Sequence, residues 1–250
     1  MWSVSKRKLR PFIPMLLSVV LSACASTPAR HDSPAVTLSL DQAWQGLVDR
    51  TESLRGLRGL AMMSRSLGGK GRLVLLARRP GEIRGELLTD MGASQLQFLC
   101  HAGELTVYWP MENRYQITEA TPAQMKAQLA LPLRPEEVVA LLLAAPPLGP
   151  KEGYGVGRKK QRTFLQGEQQ KIWLLPQGGG VVPERIENPD FAVNYSDYVT
   201  VQGILFPRAV EVVMHHGGTF RLSFDQIDLN PILPNPTFNI SIPKNAEAIH

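Results

Sequence analysis

The cysteine at position 24 has the surroundings that indicate the most specific chemistry. Leu21-Ser22-Ala23-Cys24 closes an apolar run that begins at Phe12, and this order matches the bacterial lipobox. In a lipobox the thiol is acylated and the chain is cut immediately before the cysteine. Residues 1–10 are basic without any acid, and the apolar run is shorter than the roughly 20 residues that span a membrane. The sequence therefore predicts a lipoprotein signal peptide over residues 1–23 and lipidation at Cys24.

An acylated Cys24 would hold the mature chain at a membrane surface. Each buried methylene of an acyl chain contributes about 0.8 kcal/mol, so two or three long chains form a nearly permanent anchor. Ala25 follows the cysteine where an aspartate would, by the enterobacterial sorting rule, favour the inner membrane. We therefore expect the outer membrane, with the chain facing the periplasm. The alternative is an ordinary signal peptide in which Cys24 lies near the cut by chance. Residues 24–37 are predicted to form the lipidated start and a flexible tether, because they are rich in Pro, Ser and Ala.

Other motifs that could support catalysis or metal binding are weak. Ser241 and Lys244 match Ser-x-x-Lys by spelling, but a proline lies between them and the companion motifs are missing. His215 and His216 are adjacent, so on a strand they would face opposite sides, and a hairpin tip explains them better. The stretch Gly153–Arg162 favours a solvated basic loop, with contact to anionic headgroups as the functional alternative. We expect no enzymatic activity, no cofactor and no metal.

The net charge gives little reason to expect a nucleic-acid partner. The whole chain carries +5, but residues 1–23 hold four of the basic side chains and no acid, so the mature chain is left with +1. Cys100 would have no partner once Cys24 is acylated, which excludes a disulfide framework and indicates a small core residue. We expect a protein that binds membrane lipid through Cys24, binds no nucleic acid and is a monomer.

The elements that would position a site begin with a helix. Ser39 and Gln42 form a capping box, and apolar residues then follow at spacings of three and four until a break by Gly56. After Gly56 the apolar period changes to two, and short turns separate the strand-like runs as far as Pro110–Asn113. This pattern indicates an antiparallel meander with one buried face.

Two short helices are predicted to interrupt the strands. Thr121-Pro122 opens the first, which Pro132 ends, and Pro135 opens the second, whose Val138–Leu143 run is apolar almost all round and must be buried. Strands are expected again over Lys171–Leu175, Val181–Asn188, Ala192–Tyr198, Gly203–His216, Thr219–Asn230 and Thr237–Pro243. The predicted fold is mainly β, a curved antiparallel sheet whose concave face is covered by helices. A closed barrel with surface helices is the alternative. We expect residues 38–250 to form a single domain.

The central stretches resemble a known family. Arg84–Phe98 and Gly103–Pro147 are similar to the outer-membrane lipoprotein receptor LolB and its relatives, and the last strand-like runs are similar to the wider LolA/LolB superfamily. The resemblance covers most of residues 38–243 in order. It implies an unclosed barrel with helices at its mouth, whose apolar hollow receives, without ATP, the acyl chains of client lipoproteins from a periplasmic LolA-like carrier.

The resemblance also implies roles for particular residues, with Cys24 as the anchor. The hollow would be lined by Ile83, Leu87, Leu96, Phe98, Val107, Trp109, Tyr115, Ile117, Met125, Leu129, Val139 and Leu142. Met91 and Gly92 stand where LolB carries an exposed apolar hairpin residue that helps to place clients in the membrane. Here methionine replaces the leucine of the family, and the turn lacks its proline. The alternative is that Met91 packs back onto its own domain.

Three functions are compatible with these patterns. The first is a LolB-like receptor that inserts lipoproteins into the outer membrane. The second is an accessory lipoprotein of envelope assembly or stress sensing, which binds lipid or protein without inserting clients. The third, an enzyme, is disfavoured because we identify no catalytic constellation.

Overall fold

The fold is built on one continuous β-sheet of 14 strands. The computed structural model describes residues 38–66, 69–177 and 180–249. The helices are α1 (Leu40–Ser53), α2 (Pro122–Leu129) and α3 (Pro135–Leu142). The strands are β1 (Gly56–Arg65), β2 (Lys70–Arg78), β3 (Glu82–Leu88), β4 (Ser94–His101), β5 (Glu104–Trp109), β6 (Arg114–Glu119), β7 (Gly155–Lys159), β8 (Arg162–Gln166), β9 (Lys171–Gln177), β10 (Gly180–Glu187), β11 (Phe191–Val201), β12 (Ile204–Met214), β13 (Thr219–Leu229) and β14 (Glu247–Ala248). The predicted signal peptide, Cys24 and the tether lie outside the described residues.

The sheet is open, because its outermost strands are β14 and β7 and they do not pair with each other. The strand order is β14-β6-β5-β4-β3-β2-β1-β13-β12-β11-β10-β9-β8-β7, so β1 and β13, which are far apart in the chain, pair at the middle of the sheet. Neighbours are antiparallel apart from the short parallel pair β14–β6. Register shifts in β1, β3 and β10 increase the local twist and help to curve the sheet. The predicted unclosed curved sheet is confirmed, and the closed barrel is wrong.

The first helix forms as its sequence predicts. The Ser39 hydroxyl accepts from the Gln42 backbone N–H at 3.1 Å, and the Gln42 side chain accepts from the Ser39 N–H at 3.0 Å. Helix α1 packs on β7, β8 and β10 through its buried face, which includes Leu47. A Cβ at Gly46 would lie 2.4 Å from Val181 Cγ2, so a glycine is needed for this close approach of α1 to β10.

The basic stretch Gly153–Arg162 is not a loop, and that prediction is wrong. Gly155–Lys159 pairs with Arg162–Gln166 as the β7–β8 hairpin, which ends the sheet. A Cβ at Gly157 would meet the Phe164 ring at 2.4 Å, so the glycine gives the aromatic ring room across the pair. Cys100, in contrast, is a buried core residue as expected, and burial raises the pKa of its thiol to about 12.

The last residues form a strap rather than the predicted strand Thr237–Pro243. Residues 231–246, here called the C-terminal strap, contain four prolines, which lack the N–H needed for a β-ladder. The strap crosses the outer face of the sheet, where Arg84 donates to the Thr237 carbonyl at 2.9 Å and Arg78 lies 4.6 Å from the Phe238 ring centroid. Leu233, Phe238 and Ile240 of the strap form a second apolar cluster with Leu99 and Tyr108 of the sheet.

Candidate functional site

Helices α2 and α3 lie over β2, β3 and β5 on the concave face, as the sequence predicts. The Thr121 hydroxyl caps α2 by accepting from the Gln124 N–H at 3.3 Å, and Pro122 occupies the first turn. Helix α2 ends where Ala130 adopts a left-handed φ of 58°. The Glu137 carboxylate accepts from the Arg134 N–H at 2.8 Å and so caps α3.

An apolar cavity of about 170 Å³ lies between these two helices and the sheet. Among the described residues that line it, the polar side chains are Arg65 and Gln128, and no carboxylate, histidine or cysteine is present. A cavity of this composition offers burial to an apolar ligand, and it lacks the paired titratable groups that general acid–base chemistry needs.

Seven of the residues expected around a hollow line this cavity: Ile83, Leu87, Leu96, Phe98, Met125, Leu129 and Leu142. They meet because Ile83, Gly85 and Leu87 on β3 pair with Cys100, Phe98 and Leu96 on β4, which places all six on the inner face. Val107 and Val139 are fully buried in the main core without bordering the cavity, and Trp109 is half-buried against that core.

Tyr115 and Ile117 lie on the opposite face of the sheet and cannot line the cavity. The β5–β6 register pairs Tyr108 with Tyr115 and Thr106 with Ile117, while inward-facing Val107 pairs with Gln116. Tyr115 packs against the outer apolar cluster, and Ile117 is 51% exposed. The residues of β6 that face inward are therefore shifted by one position from those expected to line the cavity.

Part of the cavity lining comes from β1, β12 and β13, and the sequence patterns did not predict it. Met63 on β1, Val210 and Val212 on β12, and Phe220 and Leu222 on β13 complete the wall. They reach the cavity because β1 pairs with β13 across a large separation along the chain. The alternation of apolar residues in β12 and β13 indicates that one face of these strands is buried. It does not indicate which strands or helices pack against that face.

Two arginines hold the residues that follow α3 in place. Arg50 on α1 is 6% exposed and donates to the Ala144 carbonyl at 2.6 Å and to the Leu205 carbonyl at 2.8 Å. Arg79 donates to the Leu54 carbonyl at 2.9 Å and to the Ala145 carbonyl at 3.1 Å. Burial lowers the pKa of both guanidinium groups.

Helix α2 has fewer polar ties to the sheet than α3. The Gln128 side-chain amide donates to Gln116 Oε1 at 2.6 Å, and the buried Met125 sulfur lies 3.6 Å from Cys100 Sγ. Helix α3 is held instead by Arg50 and Arg79, and by Tyr195, whose hydroxyl donates to the Leu141 carbonyl at 2.9 Å. We infer that α2 is the easier of the two helices to displace.

Met91 is 97% exposed at the tip of the β3–β4 hairpin, so it does not pack back onto its own domain. Gly92 follows with a φ of 82°, a conformation that glycine adopts without strain. The turn is closed by hydrogen bonds from the Thr89 N–H to the Ala93 carbonyl at 2.8 Å and from the Gly92 N–H to the Thr89 carbonyl at 2.9 Å. A bulky apolar side chain is thus presented to solvent on a firm turn.

Solved structures from several bacteria share this architecture. A domain assigned to an outer membrane lipoprotein-sorting protein of Vibrio parahaemolyticus aligns with a TM-score of 0.52 at 11% identity, covering 80% of this chain and 97% of that one. A LolA superfamily protein of Nitrosomonas europaea aligns with a TM-score of 0.51 at 12% identity, over 80% and 98%. The fold is LolA-like. A DUF1329 family protein of Desulfovibrio piger shares it too, with a TM-score of 0.53 at 13% identity over 81% and 98%.

The LolA-like fold is supported by structure rather than by sequence. No protein-family model matches the chain, and no curated protein matches it. Within the part of the chain that the structure describes, no helix is long and apolar enough to cross a membrane, and no group of three metal-ligating side chains occurs.

Proposed function

We propose that this protein is a lipid-anchored envelope protein that receives the acyl chains of client lipoproteins and helps to insert them into the outer membrane. The apolar cavity between α2, α3 and the concave face is the observation that supports the proposal most directly. A protein that carries a long acyl chain through water must shield it from solvent, and a cavity with an apolar wall does so. The same function is supported by the fold that this chain shares with a domain assigned to lipoprotein sorting and with a LolA superfamily protein.

The cavity must widen to take a whole chain. Its volume of about 170 Å³ is below the roughly 300–1,000 Å³ of typical ligand pockets. An apolar cavity of similar size, roughly 150 Å³, binds ligands as small as benzene or xenon. Outward movement of α2, which has few polar ties, would open the cavity between Met125, Leu129 and the strands. Burial of the client's methylenes, at about 0.8 kcal/mol each, offsets the packing energy that α2 gives up as it moves outward.

The arrangement of anchor, cavity and hairpin accounts for a complete transfer route. Acylated Cys24 keeps the protein at the outer membrane, facing the periplasm, and the tether of residues 24–37 lets the domain meet a LolA-like carrier. The client's chains pass from the carrier into the cavity without ATP. Met91 then contacts the bilayer, where the chains are released.

Filling the cavity tests the proposal. In Leu96→Trp the larger ring occupies space between the sheet and α2, so we expect acyl-chain binding by the full-length protein to weaken at least tenfold. Ile117→Trp adds a similar ring at a 51% exposed position on the outer face and is expected to leave binding unchanged. The measurement is retention of a radiolabelled acylated client after gel filtration, with thermal unfolding to show that both variants are folded.

Two results would count against a role in carrying acyl chains. One is a wild-type protein that retains no client and co-purifies with no lipid. The other is a folded Leu96→Trp variant that binds as well as wild type, because this would place the client elsewhere.

An accessory lipid-binding lipoprotein without insertion activity is the second candidate. The exposure of Met91 favours the insertion role, because an isolated apolar side chain at a hairpin tip is suited to entering a bilayer. We expect Met91→Glu to accept clients from a carrier but to release less than about a tenth of them to liposomes, since a carboxylate is costly in hydrocarbon. Ile232→Glu, at another apolar site that is 94% exposed, is the matched control. If wild type releases no clients to liposomes, the accessory function is favoured. If Met91→Glu releases clients as well as wild type does, Met91 has no part in insertion.

A further inference from the structure

A second cavity, whose wall combines apolar side chains with charged and uncharged polar ones, opens directly beside the apolar one. It has a volume of about 480 Å³ and shares Arg65 and Phe220 with the apolar cavity. Helix α2 borders both, with Met125 facing the apolar cavity and Lys126 the polar one. We call this second space the polar vestibule. The two spaces together are apolar at one end and charged at the other.

The charges of the polar vestibule favour an anion. Arg65 ends β1 opposite Phe220 on β13, and its guanidinium lies 5.0 Å from the Phe220 ring centroid, at the boundary between the two spaces. Among the described residues, no carboxylate lies within 4.0 Å of the charged group of Arg65 or Lys126. Asp190 is the acidic side chain of the lining, and Ser66, His216 and Thr219 add uncharged or weakly basic groups. Two cations and one carboxylate leave the vestibule net positive.

We propose that the two cavities form one site for an anionic amphiphile, a single acyl chain that ends in a carboxylate or phosphate group. The chain enters the apolar cavity beneath α2, and the anionic head lies in the polar vestibule against Arg65 and Lys126. This inference rests on the proposed function, since it requires the apolar cavity to take an acyl chain. It goes further by assigning the class of head group.

The geometry explains why a single chain and an anionic head fit best. The apolar cavity is narrow, at about 170 Å³, so one chain requires less movement of α2 than two. The planar guanidinium of Arg65 presents parallel N–H donors that match the oxygens of a carboxylate or phosphate. A charged head outside the cavity avoids the cost of moving an ion into an apolar space.

Three amphiphiles with matched sixteen-carbon chains test the inference on the full-length protein. Palmitate carries a carboxylate, 1-palmitoyl lysophosphatidic acid carries a phosphate, and 1-hexadecanol has no charge. Their affinities are measured by displacement of an uncharged fluorescent probe. We expect wild type to prefer the two anions to hexadecanol by about tenfold, on the order expected for hydrogen bonds to a charged group. The anion that is bound more tightly identifies the head group.

Charge variants give the decisive comparison. The double variant Arg65→Gln/Lys126→Gln is expected to lose about tenfold in affinity for the anions and to bind hexadecanol as wild type does. Asp190→Asn removes the opposing carboxylate and is expected to strengthen anion binding about twofold. Arg158→Gln, which removes an exposed positive charge from β7, is the control for net charge and should change nothing.

Loss of the head-group preference and loss of acyl-chain binding are separate results in these experiments. If hexadecanol and the anions bind equally, and the double variant matches wild type, the anionic site is overturned while the acyl-chain cavity stands. A double variant that is folded but loses hexadecanol as well also overturns it, because the two residues then support the cavity rather than the head. If no amphiphile or acylated client binds to wild type, both proposals fail.

Discussion

Cys24→Ser is expected to remove the protein from the outer membrane. Without a thiol at position 24 no acyl chain can be attached, and the cut before residue 24 does not take place. Wild type should incorporate labelled palmitate, begin at Cys24 and resist extraction by salt, because two or three chains anchor a protein far more firmly than one. Cys24→Ser should incorporate no label, retain residues 1–23 and be absent from the outer-membrane fraction.

The other cysteine provides the matched control for this experiment. Cys100 is 1% exposed inside β4, and burial raises the pKa of its thiol to about 12, so we expect no acylation at Cys100 in the folded chain. Cys100→Ser should therefore be labelled and localised like wild type. A wild-type chain without label, or one that begins at another residue, would refute lipidation at Cys24.

Gly85→Ala is expected to close the apolar cavity from within. A Cβ at position 85 would lie 2.1 Å from the Phe98 ring, so the ring must move, and the space next to it is the cavity itself. Forcing extra atoms into a packed site costs typically about 1–3 kcal/mol of unfolding free energy. We expect a loss of that size in denaturant unfolding, together with at least tenfold weaker acyl-chain binding.

The double variant Gly85→Ala/Phe98→Leu tests whether the displaced ring is the cause. A leucine leaves room for the new methyl group, so stability and binding should both recover in part. Gly155→Ala is the control, because a Cβ there meets nothing within 4 Å. If the double variant is no better than Gly85→Ala, the effect comes from the backbone of β3 and not from the ring.

Local signals in the sequence were sufficient for the helices and for most strands. The capping residues Ser39 and Thr121 and the prolines 122 and 135 determine where the helices begin, through contacts within a few residues. The β7–β8 hairpin was missed because Gly155–Lys159 is rich in glycine and basic residues and has no apolar alternation. It is a strand because β8 and β9 extend the sheet beside it, which is a tertiary effect.

The residues that line the candidate site could be predicted only where the pairing register of the strands could be predicted. Leu87 and Leu96 face the cavity because the β3–β4 turn pairs them directly, as their alternation indicates. The four-residue turn between β5 and β6 pairs Trp109 with Arg114, and this single register choice sends Tyr115 to the outer face. Phe238 and Ile240 alternate like strand residues, yet they belong to the C-terminal strap because the prolines around them prevent backbone pairing.

The C-terminal strap gives the sheet a hydrophobic core on its convex side as well. Phe238 and Ile240 cover Leu99 and Tyr108 on strands whose opposite surface faces α2 and the cavity. The proposed function requires the protein to alternate between loaded and empty states, and a sheet supported on one side alone would lose part of its packing at each unloading. Under that proposal, packing on the convex side would let the same strands keep their shape when the acyl chain leaves, so ligand occupancy and structural integrity would be separate properties of the molecule.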